Sequence, residues 1–239
     1  MGVAVADHSQ LPEDPFTLDP KSRNGTLICA FGKKGSGKSH LVRRLWRAWP
    51  LDAFGIEVND DLDPGQDAER LHELPHRFPV DRPIAGERKY RKLIWRADSG
   101  SASYRDDLDR AIGVALRPSD NPTLIWIDEI GEVSQGRRPS GNLRKLLMQS
   151  RHFGPVSAIM CGPRPCDIDK LVYLQADGIY EFELPDEADR EKMRRLMGFD
   201  SLEEHDEVWR ANRERHGEFS FLFFHAPSGI VLACPPVHD

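Results

Sequence analysis

Short apolar runs of strand length alternate along the chain with amphipathic stretches of helical spacing. Thr26-Leu27-Ile28-Cys29-Ala30-Phe31 is rich in β-formers, which predicts a buried strand. Leu41, Leu45, Trp46 and Trp49 then share one face of a helix predicted from Ser39 to Trp49 and stopped by Pro50. Phe54–Val58 and Lys92–Arg96 read as strands, and Tyr104–Leu116 as a helix with Leu108, Ile112 and Leu116 on one face. Thr123–Ile127 is the most strand-like run of the chain. Beyond it the pattern predicts a helix at Asn142–His152 ending at Gly154 and a strand at Val156–Met160. A short helix at Asp167–Gln175 and a strand at Gly178–Leu184 come next. Helices at Asp186–Met197 and Leu202–Asn212 follow, and Phe219–His225 and Gly229–Cys234 flank a Pro-Ser-Gly turn as a closing hairpin. Strands alternating with helices imply an α/β fold: a central, mostly parallel sheet with helices on both faces.

Two stretches break the rhythm. Residues 1–24 carry Pro12, Pro15 and Pro20 among polar residues and read as an extended arm, leaving residues 25–239 as one domain. Residues 60–92 hold Pro64, Pro75, Pro79 and Pro83 among many charges, a length of irregular chain that is usually functional or mobile.

Composition narrows the classes. Of 239 residues, 39% are hydrophobic and 30% charged, a balance that supports one sizeable core. The net charge of −6 makes no global case for nucleic-acid binding, so any such contact needs a local basic patch or loops pooled in an oligomer. No apolar run approaches the ~18 residues of a membrane span. The first ten residues lack the basic and apolar regions of a secretion signal. Cys29, Cys161, Cys166 and Cys234 form no Cys-x-x-Cys pair, and Pro163 and Pro165 separate the middle two. Reduced core thiols in a cytoplasm are expected rather than a disulfide or zinc framework.

The chemistry begins after the first strand. Gly32-Lys33-Lys34-Gly35-Ser36-Gly37-Lys38-Ser39 matches G-x-x-x-x-G-K-S and lies between a strand and a helix, as a phosphate-binding loop must. Glycines let backbone N–H groups approach phosphates, and the helix N-terminus adds partial positive charge. Lys38 is expected to reach the β- and γ-phosphates and Ser39 to place a hydroxyl on Mg²⁺. His40, next in line, joins the nucleotide-binding set. The strand at Thr123–Ile127 ends in Asp128-Glu129, so Asp128 is the candidate for the Mg²⁺ shell and Glu129 for activating the attacking water. The plain alternative for Glu129 is a solvated residue at a strand end.

Basic residues leave more open. Arg151 closes a predicted helix, where its charge could simply complement the helix dipole or could serve a neighbouring subunit's γ-phosphate as an arginine finger. Arg144 is the second candidate. Gly136-Arg137-Arg138-Pro139 and Arg88-Lys89-Tyr90-Arg91-Lys92 could touch a DNA backbone or be merely solvated.

From Gly32 to Leu184 the order of parts resembles the HerA–FtsK superfamily of DNA-pumping P-loop ATPases, a RecA-like (ASCE) group. The family pattern is a phosphate loop, an acidic strand, a helix ending in Arg–basic–aromatic–Gly, a strand, then Gln-Arg-Pro-x-x-Ile-Asp. Here Arg151-His152-Phe153-Gly154 supplies the turn, and Pro163-Arg164-Pro165-Cys166-Asp167-Ile168-Asp169 the final motif. With no room for the extra domains of HerA or FtsK, the chain looks most like the genome-packaging ATPases of tailless, membrane-containing viruses such as tectiviruses. One departure stands out: Pro163 occupies the position of the family's γ-phosphate-sensing glutamine.

The resemblance implies a core strand order 5-1-4-3-2, ATP and Mg²⁺ as cofactors, and a homo-oligomeric ring with Arg151 acting on the adjacent subunit's ATP. It also implies sequence-independent movement of double-stranded DNA, viral capsid or vertex proteins as partners, and a place in a host cytoplasm or a virion. The rival reading is a monomeric P-loop phosphotransferase or regulatory NTPase that does not act on DNA.

Overall fold

A strand whose every side chain is buried must have neighbours on both faces, and several strands of this chain are of that kind. The computed structural model describes residues 4–7, 18–20, 22, 24–59, 68–78, 91–116, 122–134, 138–153 and 155–237. In chain order these form β1 (Ala4–Asp7), β2 (Leu27–Phe31), α1 (Lys38–Ala48), β3 (Asp52–Glu57), β4 (Ala68–Leu71), β5 (Lys92–Arg96) and α2 (Tyr104–Ala115). Then come β6 (Thr123–Ile127), α3 (Ile130–Val133), α4 (Gly141–Gln149), β7 (Val156–Gly162), α5 (Lys170–Gln175) and β8 (Gly178–Glu181). The chain closes with α6 (Glu187–Met197), α7 (Leu202–His216), β9 (Phe221–His225) and β10 (Ile230–Cys234).

The strands make one sheet in the order β1-β10-β9-β8-β2-β7-β6-β3-β5-β4. Pairing is parallel except at β8–β9 and β9–β10. Counted without β5, the core β8-β2-β7-β6-β3 has the expected order 5-1-4-3-2. Strand β5 adds beyond β3 rather than between existing strands.

Alternate residues of β2 serve opposite faces. Ile28 and Ala30 join Leu41, Val42, Leu45 and Trp46 of α1 in one core layer. Leu27, Cys29 and Phe31 join residues of α2, α4, α5 and α6 in the other. This two-sided burial is why β2, β6 and β7 read as largely apolar runs rather than alternating ones, and why β3 and β8 are buried throughout although acids sit at their ends.

Local departures from the sequence pattern have local causes. The expected helix at Asn142–His152 stops at Gln149 and tightens into a 3₁₀ turn at Ser150–His152. The expected helix at Asp167–Gln175 divides, because Pro165 starts a 3₁₀ turn and Asp169 then caps α5 by accepting from the Leu171 amide at 2.8 Å. Strand β8 ends at Glu181, three residues short of the expected Leu184. Within the irregular stretch, Ala68–Leu71 is a polar edge strand, tied to β3 by a 2.5 Å ion pair between Arg70 and the buried Glu57. At the opposite edge, Ala4–Asp7 lies parallel to β10.

Candidate active site

The phosphate loop leaves β2 at Phe31 and turns into α1 within the space allowed by its glycines. A β-carbon at Gly32 would come within 2.5 Å of Phe182 Cβ, and Gly37, at φ +105°, caps α1 in the left-handed region. The loop is pinned to the tip of β8 by the Lys33 amide, which donates to the Glu183 carbonyl at 2.9 Å. The Lys33 ammonium meets the Glu183 carboxylate at 2.6 Å, a half-exposed pair worth little by itself.

Lys38 opens α1 and folds back, its ammonium donating to the carbonyls of Gly32 and, at 2.9 Å, of Lys33. Burial pushes it below its ordinary 10.5, while Cys161, Glu129 and Asp128 push the other way. A cation held under the loop's own carbonyls, beside two acids, is already aimed at the space a phosphate would take.

The two acids sit at the C-terminal tip of β6, the natural ligand edge of a parallel sheet. Asp128 is held from two directions: its amide donates to the Ile56 carbonyl at 3.1 Å, and its Oδ2 accepts from the Asn59 amide at 3.2 Å. Glu129 starts α3, and its carboxyl is pushed up to about 7, first by burial, then by Asp128 and Glu132, with Lys38 opposing. A carboxyl near neutrality is poised to take a proton from water. Burial and the same acids, Glu132 foremost, push the Tyr104 phenol up to about 12. Tyr104 and Glu132 thus stand close to the acidic pair. Neither carried a motif: Glu132 follows from the first turn of α3, one turn after Glu129, whereas Tyr104 is brought there only by the packing of α2 against α3.

Lys38, Ser39, Asp128 and Glu129 line one cleft of about 930 Å³, together with Lys34, Gly35, Gly37, His40 and Pro163. Gly32 faces Phe182, Lys33 turns to Glu183, and Ser36 is buried, so these three shape the loop rather than the cleft wall. Arg164 is directed away: its Nε donates to the buried Asp189 at 3.0 Å. Arg144 is exposed on α4, and Arg138 is exposed just before it. Arg151 has its backbone in the 3₁₀ turn, but its side chain lies outside the described residues, as do Gly136, Arg137, Gly154 and Arg88–Tyr90. The donor set fits Mg²⁺: a hydroxyl and a carboxylate in one cleft suit a hard cation that takes its other ligands from phosphate and water. Among the described residues no cluster of three or more His, Cys, Asp or Glu could hold a metal unaided, and Cys166 is exposed while the other cysteines are buried. No described helix is long and apolar enough to cross a membrane.

No protein-family model matches the chain, and no curated protein matches it. Solved structures do. The genome-packaging NTPase B204 of Sulfolobus turreted icosahedral virus 2, in complex with ATP-gammaS, is 17% identical, with TM-score 0.61 over 90% of this chain and 99% of that one. B204 of Sulfolobus turreted icosahedral virus, a DNA-packaging ATPase, is 19% identical, with TM-score 0.61 over 90% and 100%. The pCW3 conjugation coupling protein TcpA is 13% identical, with TM-score 0.53 over 91% of this chain and 62% of that one. The resemblance to HerA–FtsK and viral packaging ATPases therefore holds at the level of the fold.

Proposed function

We propose that this chain is a Mg²⁺-dependent ATPase that moves double-stranded DNA, acting as a ring in the packaging of a viral genome. The reading rests on the single cleft that gathers Lys38, Ser39, Asp128 and Glu129 at the ligand edge of the sheet. A phosphate loop alone would serve a kinase or a switch. A carboxyl held near 7 beside it gives hydrolysis a base.

In this reading the loop amides and Lys38 bind the β- and γ-phosphates and hold them in line with the attacking oxygen. Ser39 and Asp128 would hold the Mg²⁺, which when bound neutralises charge on the phosphates. Glu129 accepts the proton of the attacking water, and burial of its carboxyl keeps the resulting acid from being costly. Arg151 serves the adjacent subunit's nucleotide. Arg138, Arg144 and Lys145, exposed on and just before α4, are available to a DNA backbone. Contacts of that kind carry no sequence information, so movement along DNA is sequence-independent. The B204 fold, shared over 90% of this chain, supports DNA as the cargo.

The test is the ATPase rate with and without duplex DNA, alongside molecular size with and without ATP. Stimulation by DNA of any sequence and a nucleotide-dependent oligomer are expected. A monomer whose ATPase ignores DNA would overturn the motor.

A further inference from the structure

The phosphate and metal groups occupy only part of the cleft. The rest has a different character, and the sheet order explains why. The acids lie at the tip of β6, two strands from β2 on one side. On the other side lie β8 and then β9, which runs antiparallel to β8. Register pairs Glu181 at the end of β8 with Leu222 near the start of β9, and Phe221 with Cys234 at the end of β10. The turn before β9 and the tail after β10 therefore both emerge at the ligand edge, beside the phosphate loop and away from the acids. From these come Glu218, Phe219, Pro236 and Val237, which line the same cleft as Lys38.

Phe219 is unusual on three counts. It is the one non-glycine residue with positive φ among the described residues, at +70°. Asparagine or glycine would take that conformation at less cost, whereas a phenylalanine there is a genuine outlier. It is 49% exposed, although the phenylalanines of β9 that follow it are packed. Its Cβ lies 3.5 Å from where a β-carbon of Gly37 would be, so the side chain leaves the backbone beside the last glycine of the phosphate loop. The frame around it is firm. The buried Asn212 of α7 donates to the Phe221 carbonyl at 2.9 Å and the Cys234 carbonyl at 3.3 Å, tying the turn to the tail. Gly217, at φ +87°, closes α7 just ahead.

We infer that Phe219 is the stacking platform for the nucleobase, with Pro236 and Val237 forming the rest of an apolar slot. This inference rests on the nucleotide reading above and assigns the part of the ligand which that reading leaves unplaced. A nucleoside triphosphate is polar at one end and a flat aromatic at the other. The cleft has the same polarity, running from Asp128 and Glu129 past the loop to Phe219. Strain in the turn holds an aromatic face outward where burial would otherwise take it. A ring read by its face is bound through stacking rather than through a hydrogen-bond code.

The experiment separates base from phosphate and function from strain. Binding of ATP and of inorganic tripolyphosphate is measured by calorimetry for the wild type and for Phe219→Gly, with thermal unfolding of both. Glycine tolerates φ +70°, so the variant should melt at the same temperature or higher. Its Kd for ATP should rise by about 5- to 150-fold, the equivalent of about 1–3 kcal/mol of base stacking. Its Kd for tripolyphosphate should be unchanged, and Phe219→Trp should retain ATP affinity. An unchanged Kd for ATP in Phe219→Gly overturns the platform while leaving the nucleotide reading intact. Equal losses for ATP and tripolyphosphate also overturn it, because the ring would then only be shaping the phosphate loop. A wild type that binds neither ligand removes the nucleotide reading, and the platform with it.

Discussion

Beneath the phosphate loop, Nε2 of His205 on α7 lies 2.9 Å from Oε2 of Glu181 at the end of β8, with both side chains shut off from solvent. Burial opposes charge on both. It pushes the Glu181 carboxyl up and works against the imidazolium, but the Glu181 hydrogen bond and the charges of Glu181 and Asp206 outweigh it and raise His205 above its ordinary 6.5. The pair therefore depends on the His205 proton. A raised histidine contributes stability in full below its unfolded pKa and loses it as pH climbs through the folded one. The Tm should fall as pH rises from about 6.5, and Glu181→Gln should flatten that slope. His205→Ala leaves a buried carboxylate alone and should cost about 3–5 kcal/mol. Thermal melts of the three proteins across pH decide it. A wild-type Tm that holds steady through pH 9 would exclude a proton-dependent pair.

Lys38→Ala should abolish tight ATP binding without unfolding the chain. The Lys38 ammonium is spent on the loop's own carbonyls and on the cleft it lines. Near-normal hydrolysis by a folded Lys38→Ala protein would remove the central claim.

Glu129→Gln should retain ATP binding and lose about 10²–10⁴-fold in turnover, the usual contribution of a general base. With the carboxyl near 7, wild-type kcat/KM should climb with pH to about 7 and then level off, and the residual activity of the variant should lack that limb. Raising an acid's pKa also costs stability once the pH exceeds its unfolded value. At pH 8 the variant should therefore melt at a higher temperature than the wild type. Turnover reduced only a few-fold would move the base elsewhere.

Arg151→Ala should lose about 10³–10⁵-fold in rate if the residue is a finger. Mixed with Lys38→Ala, it should regain part of the activity, since some interfaces then pair an intact loop with an intact arginine. A residue that only caps its helix would instead cost about 0.3–1 kcal/mol of stability and leave activity in place. A dead variant with no recovery on mixing would assign Arg151 to its own subunit.

Asp189 accepts from Arg164 Nε at 3.0 Å and from the Cys166 amide at 2.9 Å, fastening the segment after β7 onto α6. Asp189→Ala takes the acceptor from the Cys166 amide, while Arg164 keeps Asp186 at 3.3 Å, and should destabilise by about 1–3 kcal/mol in chemical denaturation. A loss well under that range would mean the segment is held by Lys192, which donates to the Pro165 and Ile168 carbonyls.

What the sequence determined by itself is local. A phosphate loop needs contiguous residues, because a run of neighbouring amides must surround one ligand, and so Gly32–Ser39 was legible as written. The tip of β6 was legible for a related reason: a strand buried on both faces is a continuous apolar run, and the first acids after it mark the ligand edge. Strand β4 was hidden, because the polar Ala68–Leu71 lies at a sheet edge where no apolar run is required. The neighbours of each strand were hidden more deeply. A buried strand's pattern states that it is covered and leaves open what pairs with it, so that order came only through the family resemblance. Only the assembled sheet sets β8 beside β2 and β9 beside β8, brings Tyr104 to the acids, and turns Arg164 to Asp189. The same assembly stands Phe219 against Gly37. Its positive backbone angle lies in the short turn from α7 to β9, whose ends Asn212 ties to the tail after β10 through the Phe221 and Cys234 carbonyls.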